Sequence, residues 1–416
     1  MNIAVVGAGV SGLTAAYYLD KAGHDITLFE ANDYIGGHTD THELEDGQVR
    51  VDSGFIVFNE KNYPHFTTLI NELGVEYQES DMSFGVCNPA KQLEYAATDF
   101  DSLFCQRKNT LRVSHYQMIF DIFRFYREVK SLIDDEDNEI SLEDYLTKNR
   151  YSQAFIEDHI YPMACALWSS PVCEIKKFPV RYLVMFMANH HMLQVQNRPV
   201  WKAIKNGSRS YVEKLIDRFG ASIKTNTAIE SISRVNESVV VKAKDHEEAH
   251  FDKVFIAAHS DQALAMLEDS SAAEEEILSA IPYQKNHMVL HSDPSVMPSN
   301  RKAWASWNAL VDGSSGTQCT VTYYMNKLQS LDGLTDYFVT LNPSVEINRL
   351  LIHCQRTYYH PIYTKEGVAA QKRKDEINGA NHTYFCGAYW GWGFHEDGVR
   401  SAVESVAKFQ QDIGHA

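Results

Sequence analysis

Three glycines and one acid are the residues whose types and spacing point most directly to chemistry. Gly7, Gly9 and Gly12 form a G-x-G-x-x-G, and Glu30 stands 18 residues after the last of them. The first glycine permits a tight turn, the second lets backbone approach a pyrophosphate, and the third lets helix and strand pack closely. Phosphate oxygens would meet the free amides and positive dipole end of the next helix. Ala8 and Ser11 share that loop. An acid at the distance of Glu30 is placed to accept hydrogen bonds from an adenosine ribose. The chemistry implied is recognition of a dinucleotide.

Alone, this motif is a weak signal, and the elements around it make it strong. Asn2-Ile-Ala-Val-Val6 is a short apolar run that predicts a buried strand ending at Gly7. Leu13-Thr-Ala-Ala-Tyr-Tyr-Leu19 predicts a helix, stopped by Gly23. Asp25-Ile-Thr-Leu-Phe29 is the second strand, and it delivers Glu30 and Ala31. Strand, glycine turn, helix, strand and acid come in the order that a phosphate site at a helix N-terminus requires.

Other residue groups carry less. His190-His191 invites a metal reading, but no further histidine or carboxylate stands at ligand spacing, and no metal is expected. The seven cysteines form no C-x-x-C pair, and their odd number suits reduced thiols in a cytoplasm. A net charge of −17 argues against nucleic acid as a partner. No apolar run approaches the ~20 residues of a membrane span, and the apolar N-terminus reads as the first strand rather than a signal peptide. The 416 residues suffice for two or three domains.

The residues after Glu30 select the ligand. Gly36-Gly37-His38-Thr39, and then Val51-Asp52-Ser53-Gly54-Phe55, stand where a nicotinamide-binding unit would continue into its next helix. The glycine pair resembles the flavoprotein extension whose amides wrap a flavin dinucleotide, which disfavours an NAD-dependent dehydrogenase. The pattern is similar to the flavin amine oxidase superfamily. That resemblance implies FAD, bound without a covalent link because no cysteine matches the attachment site of those enzymes. It implies backbone recognition of the adenine near Ile229. It also matches Gly387 to the glycine that touches the pyrophosphate, and Asp397-Gly398-Val399 to the start of a helix beneath the flavin ring. His395 would then lie near that ring. Its ordinary pKa of about 6.5 suits proton traffic, although a histidine there is more commonly a wall residue. Trp390 and Trp392 would supply a dry wall for a hydrocarbon-like substrate.

The expected fold is α/β, a Rossmann-like FAD-binding domain interleaved with an α+β substrate domain. The first would take residues 1–75, 203–280 and 378–416, the second 76–202 and 281–377. Phe66–Leu73 predicts an amphipathic helix, and Ser83–Cys87 with Gln92–Tyr95 predicts a hairpin. Ser114 is a plausible N-cap for a helix reaching about Ile133, with Met118, Ile119, Ile122, Phe123, Tyr126, Val129 and Ile133 on its apolar face. Arg124, Arg127 and Lys130 flank it, so that face either packs on the core or meets lipid. Asp134–Glu139 predicts an acidic loop, and Ser141-Leu-Glu-Asp144 a capping box. The expected function is an FAD-dependent oxidoreductase that removes hydride from a substrate C–H bond.

Two departures from amine oxidases bear on the substrate. Their lysine near the flavin has no clean counterpart around Pro282–Met288, and Phe394-His395 falls where one of their cage tyrosines would stand. Whole-chain resemblance runs instead to predicted flavoproteins encoded beside cyclopropane-fatty-acyl-phospholipid-synthase-type methyltransferases. It implies a small-molecule or acyl-lipid substrate, with peripheral membrane contact and a lipid methyltransferase as partner. Amine oxidation proper, or a non-catalytic FAD-binding partner of that methyltransferase, stay open.

Overall fold

The structure is a computed structural model, and it describes all residues except 134, 136–139, 169–170, 195–197, 236, 312–318 and 415–416. Most of the acidic run from Asp134 to Glu139 therefore lies outside the described residues.

β1 (Asn2–Val6), α1 (Val10–Lys21) and β2 (Asp25–Phe29) form in the predicted order. They sit in a five-stranded parallel sheet whose order is Ser222–Lys224, β2, β1, Lys253–Ile256, Thr383–Phe385. Ile3, Val5, Ile26 and Leu28 bury one face of it against α1. Ala4, Val6, Phe29, Val254 and Ile256 bury the other face against an antiparallel ribbon of Ile229–Val235, Ser238–Ala243 and Ala249–Phe251. Strands covered on both faces read as continuous apolar runs, which is why β1 is legible in the sequence.

A second, seven-stranded sheet runs in the order Ile352–Pro361, Tyr283–His291, Phe338–Leu341, Cys319–Tyr324, Trp307–Val311, Phe84–Asn88, Leu93–Ala96. All its neighbours are antiparallel except Phe84–Asn88 with Trp307–Val311. The predicted hairpin is the pairing of Phe84–Asn88 with Leu93–Ala96. Helices between residues 113 and 189 cover this sheet with their own apolar core, which includes Phe125, Leu146, Phe155 and Leu183. No described helix is long and apolar enough to cross a membrane.

Helix starts depart from expectation in three places. The predicted Phe66–Leu73 helix is α2 (Pro64–Glu72), opened by proline, which loses no helical hydrogen bond there. The helix expected from Ser114 is α3 (Val113–Glu128), with Arg112 at the N-cap and no capping side chain. A tight turn at Arg107–Leu111 brings the chain in early, so Ser114 falls inside the first turn. The sequence pattern puts Phe123 on the buried face of α3, but it is 55% exposed while Phe125 is buried. Ser141 does cap Leu142–Lys148, its hydroxyl accepting from the Asp144 amide.

The last helix, α4 (His395–Gly414), begins two residues before the expected Asp397. The Asp397 carboxylate accepts from the amides of Trp392 and Phe394, so it ties down the preceding loop from within the first turn.

Candidate functional site

The N-termini of α1 and α4 converge on one cavity of about 940 Å³, near the upper end of the ~300–1,000 Å³ usual for ligand pockets. Close backbone approach makes that convergence possible. A Cβ on Gly398 would meet Val10 Cγ1 at 2.7 Å and Ser11 Oγ at 2.9 Å. One on Gly12 would meet the Gly7 carbonyl oxygen at 1.8 Å, so Gly12 is a packing glycine. Gly9 differs: a Cβ there meets nothing within 4 Å, because it faces the cavity.

The glycine pair docks onto the glycine turn. Gly36 donates its amide to the Ala8 carbonyl, and a Cβ on Gly37 would stand 3.2 Å from Gly9 Cα. Gly36 and Gly37 both have positive φ, the left-handed region that favours glycine. Gly54 lies so close to the His38 carbonyl that a Cβ would meet it at 2.1 Å. Glu30 is buried at the end of β2 and lines the cavity. Its carboxylate accepts from the Ala8 amide at 2.8 Å and from the Asn32 amide at 2.9 Å. The two oxygens offer about four acceptor sites, so Glu30 both fixes the loop and retains capacity for a ligand hydroxyl. Thr227, Ala228 and Ile229 continue this end of the wall.

Gly7, Gly9, Ser11, Glu30, Ala31, Gly36, Gly37, His38, Gly54, Phe55, Ile229, Gly387, Trp392 and His395 all line the cavity. Ala8, Gly12, Thr39, Asp397, Gly398 and Val399 stand behind the wall rather than in it. Thr39 hydrogen-bonds Tyr211 at 2.7 Å, and Val399 is core. Trp390 is a correction as well. The tight turn Ala388–Trp390 rotates it into the core beside Tyr389, away from the cavity. Trp392 alone of the two tryptophans reaches the wall.

His395 is held on three sides. Its ring stacks on Phe55 at 3.7 Å and 9°, meets Phe66 edge-on at 5.0 Å, and its Nε2 hydrogen-bonds the Tyr211 hydroxyl at 2.7 Å. Burial pushes its pKa down to about 3, so it is neutral at physiological pH. That weighs toward a wall role and away from proton traffic. Its neighbour Glu396 accepts from the His65 and Phe66 amides at the N-terminus of α2, and burial pushes its carboxyl up to about 7.

Sequence reading misses a histidine cluster. His38, His259 and His360 line the cavity together, with His38 ring centroids 6.4 Å from His259 and 5.5 Å from His360. Burial and mutual repulsion hold His38 well below the usual histidine range, and burial takes His360 to about 4. Asn286 Nδ2 hydrogen-bonds His360 Nδ1, while the adjacent Lys285 is exposed. The aromatic run Tyr358–Pro361 is the only signal in the sequence. Also missed is Asp52, whose buried carboxylate accepts from Ser208, Thr41 and Gln329 and whose pKa burial raises to about 6. No group of residues suited to hold a metal occurs among the described residues.

The far end of the cavity is walled by Met163, Leu167, Trp168, Phe186, Trp307 and Leu341. Among the described lining residues there is no lysine or arginine, and the only carboxylates, Glu30 and Glu230, belong to the glycine-loop end.

The family model for flavin containing amine oxidoreductase matches residues 10–290, two thirds of the chain. The chain belongs to this family. FAD is the cofactor of this flavoprotein. The residues present fit that cofactor: Gly9 leaves open space for a phosphate, and His38 and Tyr363, which line the same cavity, each bury a polar atom (Nε2 and the hydroxyl) without a partner in the chain. When bound, FAD supplies a two-electron acceptor.

Among solved structures, cyclohexylamine oxidase from Brevibacterium oxydans aligns over 99% of both chains at 14% identity and TM-score 0.71. A fatty acid isomerase from P. acnes aligns over 98% of both at 14% identity and TM-score 0.66. These identities establish a shared fold. In sequence, the flavoprotein is 36% identical to 15-cis-phytoene desaturase of Glycine max over 104 residues, 24% of this chain and 18% of that one. It matches the Synechococcus elongatus desaturase at 33% over 107 residues. The matched stretch spans under a quarter of these curated relatives' length.

Proposed function

We propose that the flavoprotein oxidises a C–H bond of an uncharged, hydrocarbon-like substrate, a fatty-acyl chain of a phospholipid being the best fit. The observation that carries this reading is the far end of the cavity, largely apolar and without a carboxylate, lysine or arginine among its described lining residues, though it includes the buried His190, stacked on Phe186 at 4.0 Å. Buried apolar walls favour hydrocarbon, and an ammonium desolvated there would lack a counter-charge. Phe55, His395 and Trp392 would shape the floor on which the substrate lies. His395, neutral and hydrogen-bonded to Tyr211, would position rather than protonate.

Non-covalent FAD is supported by the absence of cysteine from the described cavity lining. Ala8, Gly12, Thr39, Asp397, Gly398 and Val399 would act on FAD by fixing the loops that touch it. The domain division at residues 1–75, 203–280 and 378–416 against 76–202 and 281–377 belongs to the same proposal, as does a reducing, cytoplasmic setting for the free thiols. A lipid methyltransferase as functional partner rests on sequence resemblance alone. That the fold admits acyl chains is consistent with the fatty acid isomerase that shares it.

The test is anaerobic bleaching of the flavin against a panel of amines, amino acids and phospholipids bearing unsaturated or methylated acyl chains. Bleaching by an acyl lipid and by no amine is the expected result. Bleaching by an amine overturns the substrate assignment. Failure of every compound, with a flavin that still photoreduces and reoxidises in air, favours the non-catalytic FAD-binding partner.

A further inference from the structure

The outer face of α3 carries a largely exposed apolar stripe. Val113, Tyr116, Phe120 and Phe123 are 72%, 49%, 67% and 55% exposed. Their spacing of three, four and three residues puts them on one side of the helix. The opposite side is already used, because Met118, Phe125 and Tyr126 are buried beneath it. This helix is therefore apolar on two faces, and the core accounts for only one. Leu111 and Phe100, 88% and 73% exposed, extend the stripe beyond its N-terminus. Phe104 links them, with ring centroids 4.8 Å from Phe100 and 5.7 Å from Tyr116. His115 Nε2 donates to the Leu103 carbonyl, which fastens the two segments together.

Charge around the stripe leans basic. Residues 99–128 hold Arg107, Lys108, Arg112, Arg124 and Arg127 against Asp99, Asp101, Asp121 and Glu128, in a protein of net charge −17. Arg107 pairs with Asp101, Arg124 pairs with Asp121 and Glu128, and Asp121 is turned inward to accept from the Ser152 amide. Lys108, Arg112 and Arg127 carry the surplus, with Arg127 standing 3.7 Å from Glu128. Exposed aromatics bordered by arginine and lysine are the composition of a helix that lies in a lipid headgroup layer. Cations there are drawn to anionic headgroups.

We propose that α3 docks the protein on an anionic phospholipid surface, with Phe120 and Phe123 entering the headgroup layer and Lys108, Arg112 and Arg127 meeting phosphates. A second copy of the chain fits this face less well. A two-fold contact sets the same patch on both copies against itself, which would bring the surplus cations of one copy toward those of the other. With no membrane-crossing helix among the described residues, the contact would be peripheral. The inference is independent of the substrate reading, since an oxidase of soluble substrates could carry the same surface.

The test is co-sedimentation of the FAD-loaded protein with vesicles of phosphatidylglycerol and phosphatidylcholine, and with phosphatidylcholine alone. Binding to the anionic vesicles, weakened by high salt and at least tenfold weaker with neutral ones, is expected. Phe120→Glu with Phe123→Glu, both on the surface, should keep FAD and thermal unfolding unchanged and lower the bound fraction at least tenfold. Lys108→Gln, Arg112→Gln and Arg127→Gln together should remove the preference for anionic lipid. A wild-type protein that stays in the supernatant overturns the proposal. So does a double variant that binds like wild type, or a dimer in sedimentation equilibrium that the double variant dissolves.

Discussion

The two ends of the cavity are built by opposite means. At the glycine-loop end the wall is largely backbone: Gly7, Gly9, Gly36 and Gly37 come from the first 37 residues, and their tasks are set by how near two chains must pass. At the far end the wall is side chains, with Met163, Phe186, Trp307 and Leu341 gathered from distant stretches. Backbone approach tolerates few residue types, whereas an apolar wall accepts almost any large hydrophobic residue. Under the proposed function, a cofactor common to the family would sit at the constrained end and the substrate would be chosen at the free one.

The sharpest break in that contrast comes from the glycine loop. Gly9→Asp should leave folding intact, because the position is open, yet abolish FAD retention by bulk and charge at the phosphate. Stoichiometric flavin in the purified, folded variant would show that the loop is not the phosphate site. Gly12→Ala, by contrast, should lower the unfolding temperature, since its Cβ meets backbone; overpacking of this kind costs roughly 1–3 kcal/mol. Glu30→Ala comes next. Loss of a charge-assisted contact of about 1.5–3 kcal/mol should loosen FAD roughly tenfold to a hundredfold. Titration of the apoprotein with FAD measures it, and unchanged affinity would exclude Glu30 from recognition.

At the other end, Leu167→Asn should keep FAD while lowering kcat/KM for an acyl substrate about tenfold, by a polar-burial penalty of roughly 1.5 kcal/mol. An equal loss of FAD would mean that the two ends are not separable. The smallest effect is expected at the join. His395→Gln should change flavin reduction at saturating substrate by less than about threefold. Because its pKa is about 3, the wild-type rate should not report this group between pH 6 and 8. A fall of a hundredfold or more would restore it as a proton carrier. The same shift has a stability sign. The folded pKa lies below the unfolded value of about 6.5, so the unfolded chain binds the proton first. Stability should fall as pH drops below about 6.5, and denaturant titrations of His395→Gln should show a shallower fall.

Legibility divides along the same line. Gly36-Gly37 can be read because a glycine pair after a strand and an acid has a local task. The cluster of His38, His259 and His360 cannot, because pairing of Ile352–Pro361 with Tyr283–His291 brings one member to a wall begun 322 residues earlier. Trp390 and Trp392 look equivalent in sequence, and only the turn at Ala388–Trp390 separates core from cavity. The start of α4 escapes the sequence pattern because Asp397 bonds backward to the loop amides instead of capping from outside the helix. Phe123 and Phe125 share residue type and neighbourhood, and a two-residue step on a helix sends them to different faces.

The parallel sheet has a consequence for biosynthesis. The turn at Gly7 rests on the Ala257 carbonyl, and the strand leading to that residue pairs in turn with Thr383–Phe385. A ribosome adding about 5–20 residues per second needs roughly 12–50 s to travel from Gly7 to Ala257. His395 and Gly398 arrive later still. The nascent chain thus exposes β1 and the glycine turn long before their floor exists, and flavin capture must await synthesis past Gly398. Limiting riboflavin in the cell should therefore leave a folded-but-empty or degraded protein rather than stall its synthesis, and chaperones that hold open sheet edges should govern its yield.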